Sequence, residues 1–564
     1  MDYRKKYDMW IEDEYFDEET KAELREIEDE REIEDRFYTD LSFGTAGLRG
    51  KIGAGTNRMN KYTVALATQG LASTIVNKGQ EAMDMGVAIA YDVRKFSDEF
   101  AETAARVLAA NGIKAYLFDG IRPTPVLSYA VRELGTISGI VVTASHNPRE
   151  YNGYKAYWKE GSQILDDIAS EILEKISKIK DFKEIKMISL DEGLENGLIE
   201  YIGSEIDDKY NKEILDRSIR DGEELDKEIK VVYTPLNGTG NIPVRRVLKD
   251  RGFENIFVVE PQENPDPNFT TVGYPNPEDP KAFNLSIELG KKKDADILVA
   301  TDPDADRIAM MVKEESGEFI FLNGNQTGAL LVNYILSSLD EKGKLPKNPA
   351  IVKSIVTGDL GKKIAQKYGV ETFDTLTGFK NICAKANEWD ITGEYNFVFG
   401  YEESIGYTYG TLVRDKDAVI SSMILVEMAA YYKRQGKNLL EVLEELYQEF
   451  GYYKENLISV VLEGIEGSQR IGRMMDYFRK NPIKEIGNMK LSSVTDYLLD
   501  KTGNEKSNVL KYLLNDGSWY VVRPSGTEPK IKLYIYSKDN NEEEALGKIK
   551  LIEKDVVEKL MSVE

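Results

Sequence analysis

A serine flanked by small residues follows a short apolar strand and is the first candidate for chemistry. Ser145 lies in the segment 143–148 (TASHNP), directly after the apolar run 140–142 (IVV). The neighbouring His146 is the only histidine of the chain. A residue next to the serine is not expected to turn its ring onto the hydroxyl, so a Ser–His–Asp triad would lack its base. Two interpretations stay open: a hydroxyl that accepts and donates a phosphoryl group, and a strand-end turn closed by Asn-Pro.

Three aspartates at alternate positions form the second candidate. Asp302, Asp304 and Asp306 lie in the segment 301–307 (TDPDADR), after the apolar run 297–300 (ILVA). Carboxylates that converge on one point repel one another, so the spacing indicates a hard divalent cation between them. An all-oxygen site with three carboxylates favours Mg²⁺ and leaves positions for phosphate oxygens.

Two other acidic motifs can be compared with this segment. An EF-hand loop beginning at Asp302 would need Gly at its sixth position and Glu at its twelfth, where the chain has Arg307 and Lys313. The EF-hand is therefore excluded. A phosphatase of the haloacid-dehalogenase type also places Asp-x-Asp after a strand, but normally with Thr or Val where this chain has Asp306. That alternative is weakened and stays open.

Two further segments are suited to a phosphorylated sugar. The segment 399–406 (FGYEESIG) places carboxylates between glycines, and a carboxylate can accept hydrogen bonds from two adjacent sugar hydroxyls. An exposed acidic turn is an equally open interpretation of this segment. The segment 523–530 (RPSGTEPK) alternates Arg, Ser and Thr around a glycine. A guanidinium, two hydroxyls and accessible backbone N–H groups are typical of a phosphate-binding loop.

The elements that must position these segments form a repeat. An apolar strand, a helix that ends at a glycine and a second apolar strand recur at 87–118, 229–259 and 350–375. Glycine is the residue for which a left-handed C′ position costs least. Three such units predict three similar α/β domains. The stretch 450–564 has an α+β pattern and is interpreted as a smaller fourth domain.

Length and composition set further bounds. A chain of 564 residues is expected to divide into about three to five domains. The formal net charge of −24 argues against binding to nucleic acid, which needs a basic surface. Cys383 is the only cysteine, no apolar run reaches the ~20 residues of a membrane span, and no signal-type segment begins the chain. We therefore expect a cytoplasmic protein without a membrane partner. The charged stretch 1–37 predicts one or two solvent-facing helices.

The four segments occur together, in this order and about one domain apart, and this combination resembles the α-D-phosphohexomutase superfamily over essentially the whole chain. The resemblance implies an α/β fold: three similar α/β domains with mixed sheets and a smaller C-terminal α+β domain around a central cleft. The domains expected on this basis are 1–205 (with the helical extension), 206–320, 321–445 and 446–564. In that family the segments carry, in order, a phosphoserine, Mg²⁺, the contacts to the sugar and the contacts to its distal phosphate.

The resemblance implies roles for individual residues. The catalytic set is Ser145, Lys155, Arg49 and His146. The ligands of one Mg²⁺ per chain are Asp302, Asp304, Asp306 and the phosphate of Ser145. The substrate-binding set is Arg307, Lys380, Glu402, Ser404, Arg523, Ser525, Gly526 and Thr527. Within these sets, Lys155 would be the general acid–base and Arg49 would face the serine.

The segments TAGLRG and GYEES are similar to those of the bacterial phosphoglucomutase branch, which also includes phosphopentomutases. This similarity implies interconversion of glucose 1-phosphate and glucose 6-phosphate through a phosphoserine and a glucose 1,6-bisphosphate intermediate. A phosphopentomutase or phosphomannomutase of the same superfamily is the alternative, and a sugar-phosphate phosphatase or a non-catalytic regulator is more remote. The partner is a small sugar phosphate, with the chain a monomer or a dimer.

Overall fold

The N-terminal stretch forms three helices, so the prediction of one or two is wrong. The computed structural model describes residues 2–44, 47–462, 464–499, 506–525 and 530–564. The helices are α1 (Tyr3–Glu12), α2 (Glu18–Arg25) and α3 (Glu30–Phe37). An aspartate caps the N-terminus of each one, at Asp2, Asp17 and Asp29. These caps are hard to recognise in a stretch where acidic residues are frequent.

The first domain is built on a six-stranded mixed sheet. Its strands, in the spatial order β1-β5-β4-β2-β3-β6, are β1 (Leu48–Lys51), β2 (Val87–Tyr91), β3 (Ala115–Phe118), β4 (Ser138–Val142), β5 (Tyr151–Trp158) and β6 (Ile199–Ile202). Its helices are α4 (Lys61–Asn77), α5 (Gln80–Met85), α6 (Ser97–Ala110), α7 (Thr124–Leu134), α8 (Asp166–Lys178) and α9 (Leu190–Glu195). The N-terminal helices pack on this domain through an aromatic cluster in which Trp10 stacks on Phe16 and meets Tyr62 edge to face.

The second and third domains repeat this plan with fewer strands. The second sheet, ordered β11-β10-β9-β7-β8, contains β7 (Val231–Thr234), β8 (Ile256–Val258), β9 (Ile297–Thr301), β10 (Ile308–Lys313) and β11 (Phe319–Leu322), with helices α10 (Ser204–Leu215), α11 (Asn241–Asp250) and α12 (Asn284–Lys293). The third, ordered β13-β12-β14-β15, contains β12 (Pro349–Ser354), β13 (Glu371–Thr375), β14 (Asn396–Glu402) and β15 (Gly406–Tyr409), with helices α13 (Gly324–Glu341), α14 (Leu360–Lys367), α15 (Phe379–Thr392), α16 (Ala418–Arg434) and α17 (Leu439–Phe450).

The fourth domain has an antiparallel sheet. Its order is β16-β21-β20-β19-β18-β17, with β16 (Tyr452–Val461), β17 (Glu485–Ile486), β18 (Met489–Asp496), β19 (Leu510–Leu514), β20 (Trp519–Pro524) and β21 (Lys530–Asp539). Its helices are α18 (Gly464–Lys480) and α19 (Glu542–Met561). Short 3₁₀ turns elsewhere lie at Phe182–Glu184, Gly222–Glu224, Glu260–Gln262 and Pro280–Phe283.

The first three sheets share one core topology. In each, a central strand (β2, β7 or β12) pairs in parallel with the next two strands of its domain, and the third of these strands pairs with an antiparallel neighbour. Strands β4, β7 and β9 are buried at every position, as expected for strands covered on both faces. The predicted fold, three similar α/β domains with mixed sheets and a smaller α+β domain, is confirmed. The predicted boundaries stay predictions.

The helix after each central strand ends in the same way. Gly112, Gly252 and Gly369 each have a φ between 67° and 76°, two residues after the last helical residue. The N–H of each glycine bonds a carbonyl three residues earlier, and the next N–H bonds one five residues earlier. This is the Schellman motif, and it turns the chain into the second strand of each unit. Among the described residues, no helix is long and apolar enough to cross a membrane.

Replacing these glycines tests how much they stabilise the fold. We expect Gly252→Ala and Gly369→Ala each to cost about 1 kcal/mol, because both positions are left-handed and a methyl group would meet no atom within 4 Å. Gly547→Ala is the matched control, since Gly547 lies inside α19 with equally free space and alanine favours the helix by about 1 kcal/mol. Thermal unfolding midpoints should therefore shift down for the first two variants and up for the third. Upward shifts in all three would contradict the motif.

Candidate active site

Three of the candidate segments occupy the same position in three domains. The serine loop (143–150) joins β4 to β5, the metal loop (302–307) joins β9 to β10, and the glutamate loop (403–405) joins β14 to β15. Each contains a non-glycine residue at positive φ: Ser145 at 52°, Ala305 at 48° and Ile405 at 56°. Non-glycine residues adopt this conformation at an energetic cost and cluster at functional sites. The repeated fold thus presents three equivalent, tightly turned loops.

The structure brings the serine and the aspartates together. The Ser145 hydroxyl donates to Oδ2 of Asp302 at 2.6 Å, across 157 positions of sequence. Both side chains are buried. The hydroxyl therefore lies beside a carboxylate of the metal loop.

His146 faces the serine, so the expectation that an adjacent ring would turn away is wrong. Its Nδ1 lies 3.2 Å from Oγ of Ser145. The left-handed backbone at Ser145 reverses the chain there and directs the next side chain back over the hydroxyl. Burial, followed by the nearby Arg307 and Arg49, lowers the pKa of His146 well below its usual value. The ring is therefore neutral. The carboxylate that accepts from the Ser145 hydroxyl is that of Asp302, which belongs to the aspartate group, so the arrangement is not a Ser–His–Asp triad.

The three aspartates fit a bound cation. One oxygen of each of Asp302, Asp304 and Asp306 lies within 4.8 Å of the others, and all three side chains are buried. Oδ1 of Asp304 and Oδ1 of Asp306 are buried and have no hydrogen-bond partner in the part of the chain that the structure describes. Buried acceptors without partners are costly, and a hard divalent cation would satisfy them. These residues therefore fit Mg²⁺, on the chemistry of their oxygens and on their unmet bonding capacity.

Two buried lysines balance the negative charge of the aspartates. Nζ of Lys155, on β5, lies 2.9 Å from Oδ2 of Asp304, and Nζ of Lys416 lies 2.9 Å from Oδ2 of Asp306. Burial lowers the pKa of each lysine, but the aspartates raise it by more, so the net shift is upward. Sequence reasoning found Lys155 by resemblance and missed Lys416. The available signal was the charged run 414–417 (RDKD) directly before the apolar helix α16.

A buried arginine holds the serine loop in place and was also missed. The Arg94 guanidinium donates at 2.5–2.9 Å to the carbonyl oxygens of Ser145, Asn147 and Pro148 in that loop and to the carbonyl of Tyr151 at the start of β5. Beside it, Asp92 accepts from the Thr143 hydroxyl at 2.7 Å, and that hydroxyl accepts from the Ser145 N–H at 2.8 Å. Both charged residues follow the apolar strand β2, and a polar pair at a strand end was the available signal.

Two of the arginines predicted from the sequence, Arg49 and Arg307, lie on the serine and metal loops' side of this site. Arg49 lies on β1 opposite Gly153 of β5, and its Nη1 is 3.5 Å from Oδ1 of Asn147 in the serine loop. Arg307 ends the metal loop and forms a β-bridge with Gly406, directly after the glutamate loop. The metal and glutamate loops are therefore in contact through their backbones, and the serine loop meets the metal loop through the Ser145 side chain.

Glu402 is the last residue of β14, directly before the glutamate loop. Oε1 of Glu402 accepts the Gly378 N–H at 2.8 Å, and burial, followed by Glu403, raises its pKa. Ser404 is half-buried in the same turn. Lys380, predicted to contact substrate, forms an ion pair with Asp166 of the first domain at 2.9 Å.

The fourth loop is described in part. Arg523 lies on β20 directly opposite Lys532 on β21, and the Ser525 N–H donates to the Lys530 carbonyl at 2.8 Å. The predicted Gly526 and Thr527 lie outside the described residues. Burial lowers the pKa of Lys532, and the nearby Lys530 and Arg523 lower it further. Three cations thus meet here, and Lys532 was missed because it belongs to an alternating strand and not to a motif.

The comparisons with known proteins cover nearly the whole chain. Models of the phosphoglucomutase/phosphomannomutase family match in four parts: α/β/α domain I over residues 40–183, domain II over 208–317, domain III over 323–450 and the C-terminal domain over 484–548. A phosphoglucomutase of Staphylococcus aureus is 38% identical over 536 residues, 93% of this chain and 94% of that protein. A phosphoglucomutase of Staphylococcus haemolyticus is 37% identical over 513 residues, 89% and 91% of the two chains.

Solved structures share the fold at lower identity. The phosphoglucomutase pp63/parafusin of Paramecium has a TM-score of 0.71 at 18% identity, with 93% of this chain and 96% of that chain covered. A phosphoglucomutase/phosphomannomutase family protein of Burkholderia thailandensis has a TM-score of 0.68 at 20% identity, with 93% and 98% covered.

The aspartate group can be tested through metal affinity alone. We expect Asp306→Asn to weaken Mg²⁺ binding at least about tenfold, because it keeps the volume but removes the charge from a buried carboxylate whose Oδ1 has no hydrogen-bond partner among the described residues. Glu278→Gln is the matched control, since Glu278 faces Arg307 at 3.7 Å outside the aspartate group and should change affinity less than about threefold. Titration calorimetry with Mg²⁺ measures both. Equal losses in the two variants would mean that the cation binds elsewhere.

Proposed function

The chain belongs to the phosphoglucomutase/phosphomannomutase family, and from this premise we propose that it is a phosphoglucomutase. It interconverts α-D-glucose 1-phosphate and glucose 6-phosphate through a phosphoserine and a glucose 1,6-bisphosphate intermediate, in the cytoplasm. The observation that carries the proposal is the 2.6 Å hydrogen bond from the Ser145 hydroxyl to Asp302, within a group of three buried aspartates. A transferable phosphoryl group on that oxygen would lie next to the one place in the described site built for a cation.

Mg²⁺ would be held by Asp302, Asp304, Asp306 and the phosphate of Ser145. When bound, it supplies positive charge that offsets the charge of the transferring phosphoryl group. Arg49, which contacts Asn147 of the serine loop, and Arg307, which lies next to Asp306, add donors around the serine. The Arg94 contacts to the carbonyls of the serine loop and of Tyr151 keep the serine in one orientation before and after transfer.

The transfer proceeds in two halves. In the first, the bond between phosphorus and Oγ of Ser145 breaks and a bond forms to the free hydroxyl of the bound sugar monophosphate, giving the bisphosphate. Lys155 takes the proton of that hydroxyl and gives its own proton to the leaving Oγ of Ser145, so the lysine keeps the charge that Asp304 and Asp306 stabilise. In the second half, the bisphosphate reorients in the cleft and its other phosphoryl group returns to Ser145, whose oxygen accepts it.

The remaining groups recognise the sugar and its distal phosphate. Glu402 and Ser404 bind hydroxyl groups, and Lys380 supplies a further contact once it leaves Asp166. Arg523 and Ser525, with Gly526 and Thr527, bind the phosphate that is not being transferred. Support for this assignment comes from the meeting of three cations, Arg523, Lys530 and Lys532, of which Lys532 lies near Glu403. The same loop must accept either phosphate of the bisphosphate.

Ser145→Ala is the direct test of the covalent route. We expect turnover in a coupled glucose 1-phosphate assay to fall by more than about a thousandfold, because the acceptor oxygen is gone. Labelled glucose 1,6-bisphosphate should transfer phosphate to the wild-type chain and not to the variant, while Mg²⁺ still binds both. Ser170→Ala, an exposed position on α8, is the control and should retain activity. Substantial turnover in Ser145→Ala would contradict the proposal.

Arg523→Ala separates phosphate recognition from metal binding. We expect the dissociation constant for glucose 6-phosphate to rise about 10- to 100-fold, the range for losing charge-assisted hydrogen bonds. Mg²⁺ affinity should stay within about twofold, because the arginine lies outside the aspartate group. Arg473→Ala, on the exposed side of α18, is the control. Equal damage to both affinities would place the phosphate site elsewhere.

Substrate class is decided by a direct comparison. Glucose 1-phosphate, mannose 1-phosphate and ribose 1-phosphate are assayed side by side, with released inorganic phosphate measured in the same samples. We expect glucose 1-phosphate to give the highest kcat/KM and phosphate release to be negligible. A preference for ribose 1-phosphate would indicate a phosphopentomutase, and stoichiometric phosphate release would indicate a phosphatase.

A further inference from the structure

The turn after the central strand of the third domain contacts two parts of the site at once. This turn, residues 354–359, is called here the pivot loop. It corresponds in topology to the polar turn after β2 in the first domain, where Asp92 and Arg94 support the serine loop. In the third domain the equivalent turn forms hydrogen bonds to the glutamate loop and also to the fourth domain.

One side of the pivot loop fixes the glutamate loop. Hydroxyl groups of Ser354 and Thr357 donate to Oε2 of Glu403 at 3.1 and 2.9 Å, and the Glu403 N–H donates back to the Thr357 hydroxyl at 3.1 Å. Ser354 and Thr357 are fully buried. The backbone next to Glu402 is therefore set by the pivot loop.

The other side binds the fourth domain. Nε1 of Trp519 donates to Oδ2 of Asp359 at 2.9 Å, and the Asp359 N–H donates to the Tyr536 hydroxyl at 2.7 Å. Nζ of Lys511 donates to the Ile355 carbonyl at 2.7 Å. The Trp519 and Tyr536 rings stack at 4.9 Å, and both side chains are almost completely buried. A side chain of the third domain thus meets an aromatic pair at the base of the β20–β21 hairpin.

Asp359 is itself held rigidly. Its Oδ1 lies 3.1 Å from Nζ of the fully buried Lys353, which also contacts Asp374 at 2.9 Å and donates to the Thr357 carbonyl. Burial would raise the pKa of Asp359, but Lys353 and Lys511 outweigh it and lower the pKa to about 2. The carboxylate is therefore charged at neutral pH and has a fixed geometry from which to orient another domain.

The hairpin connects this contact to the phosphate-binding residues. Trp519 and Tyr536 are directly opposite each other in the β20–β21 register, and Arg523 lies four residues further along β20. At about 3.3 Å per residue this is a distance of about 13 Å, so a tilt of about 10° at the base would move Arg523 by about 2 Å. Shifts of this size are enough to disturb charge-assisted hydrogen bonds.

We propose that Asp359 is a positioning residue: through Trp519 and Tyr536 it sets the orientation of the β20–β21 hairpin relative to the glutamate loop. Sugar hydroxyls and distal phosphate are then recognised at one fixed separation, because a single turn of the third domain fixes both recognition elements. The inference rests on the proposed function, in which the two elements bind the same substrate.

Trp519→Phe is the main test. The phenyl ring keeps the stacking on Tyr536 but loses the donor to Asp359. If the hairpin then occupies the competent orientation about a tenth of the time, the apparent affinity falls about tenfold. We expect KM for glucose 1-phosphate and the dissociation constant for glucose 6-phosphate to rise about tenfold. At saturation the substrate restores the orientation, so kcat should stay within about twofold of wild type, and hydrolysis of phosphorylated Ser145 by water should be unchanged.

Two further variants keep the test specific. Trp389→Phe alters another buried tryptophan of the third domain. The Trp389 ring lies away from the pivot loop and packs on the Phe373 ring, with 5.0 Å between the ring centroids. This variant should leave KM unchanged while it loses about as much thermal stability as Trp519→Phe. Asp359→Asn retains an acceptor for Trp519 and should raise KM less than Asp359→Ala does. A KM that rises less in Asp359→Asn than in Asp359→Ala, at a constant kcat, is a result that general destabilisation does not produce.

The outcomes separate this inference from the proposed function. An unchanged KM and dissociation constant in Trp519→Phe and Asp359→Ala, or an equal rise in Trp389→Phe, would overturn the positioning role. Wild-type protein that binds glucose 6-phosphate without turnover would count against the proposed function alone, because the calorimetric comparison of the variants still tests the positioning role. Wild-type protein that binds no sugar phosphate would overturn both.

Discussion

Three buried carboxylates repel one another in this site, and the rest of the structure must offset that repulsion. Asp302, Asp304 and Asp306 would push the metal loop apart unless positive charge and hydrogen-bond donors surrounded it. The metal loop satisfies part of this demand itself, since the N–H groups of Asp306 and Arg307 donate to Oδ1 of Asp302. The remaining donors come from other domains, and this requirement explains why the domains meet where they do.

The first and third domains both contribute to the metal loop. Thr124, at the start of α7, donates its N–H to the Asp304 carbonyl and its hydroxyl to the Asp304 carboxylate. Lys155 approaches from β5, Lys416 from the turn before α16, and the Ala418 N–H at the start of α16 donates to the Ala305 carbonyl. Three domains therefore supply the donors and positive charges that surround the aspartate group. A bound cation would add positive charge to this group, and a phosphorylated serine would add negative charge.

The sequence predicted the parts of the structure that depend on local chemistry. The strand Val87–Tyr91 begins the predicted repeat 87–118, and the helix Leu360–Lys367 lies inside the predicted repeat 350–375, because apolar runs and a terminal glycine mark these repeats directly. The four candidate segments could be found for the same reason, since each places its reactive groups within a few residues. The family resemblance then supplied their order.

What the sequence could not predict depends on contacts through space. The orientation of His146 follows from a positive φ at Ser145, which residue type does not reveal. Lys416 and Arg94 reach the site from turns whose only local signal is polarity. Lys532 joins Arg523 because two antiparallel strands place them opposite each other. The roles of the predicted site residues, the domain boundaries and the contributions of Gly526 and Thr527 stay predictions.

An acidic protein that binds a dianionic phosphate must solve an electrostatic problem, and the geometry shows how. The net charge of −24 is spread over the surface, where salt screens interactions beyond about 8 Å. Within the cleft, Lys155 and Lys416 are buried beside carboxylates that keep them charged, and such interactions are screened far less. The positive charges around the aspartates are therefore local, fixed and already paired with carboxylates. Binding of a phosphorylated sugar is then decided by the arrangement of charges within this cleft and only weakly by the total charge of the chain.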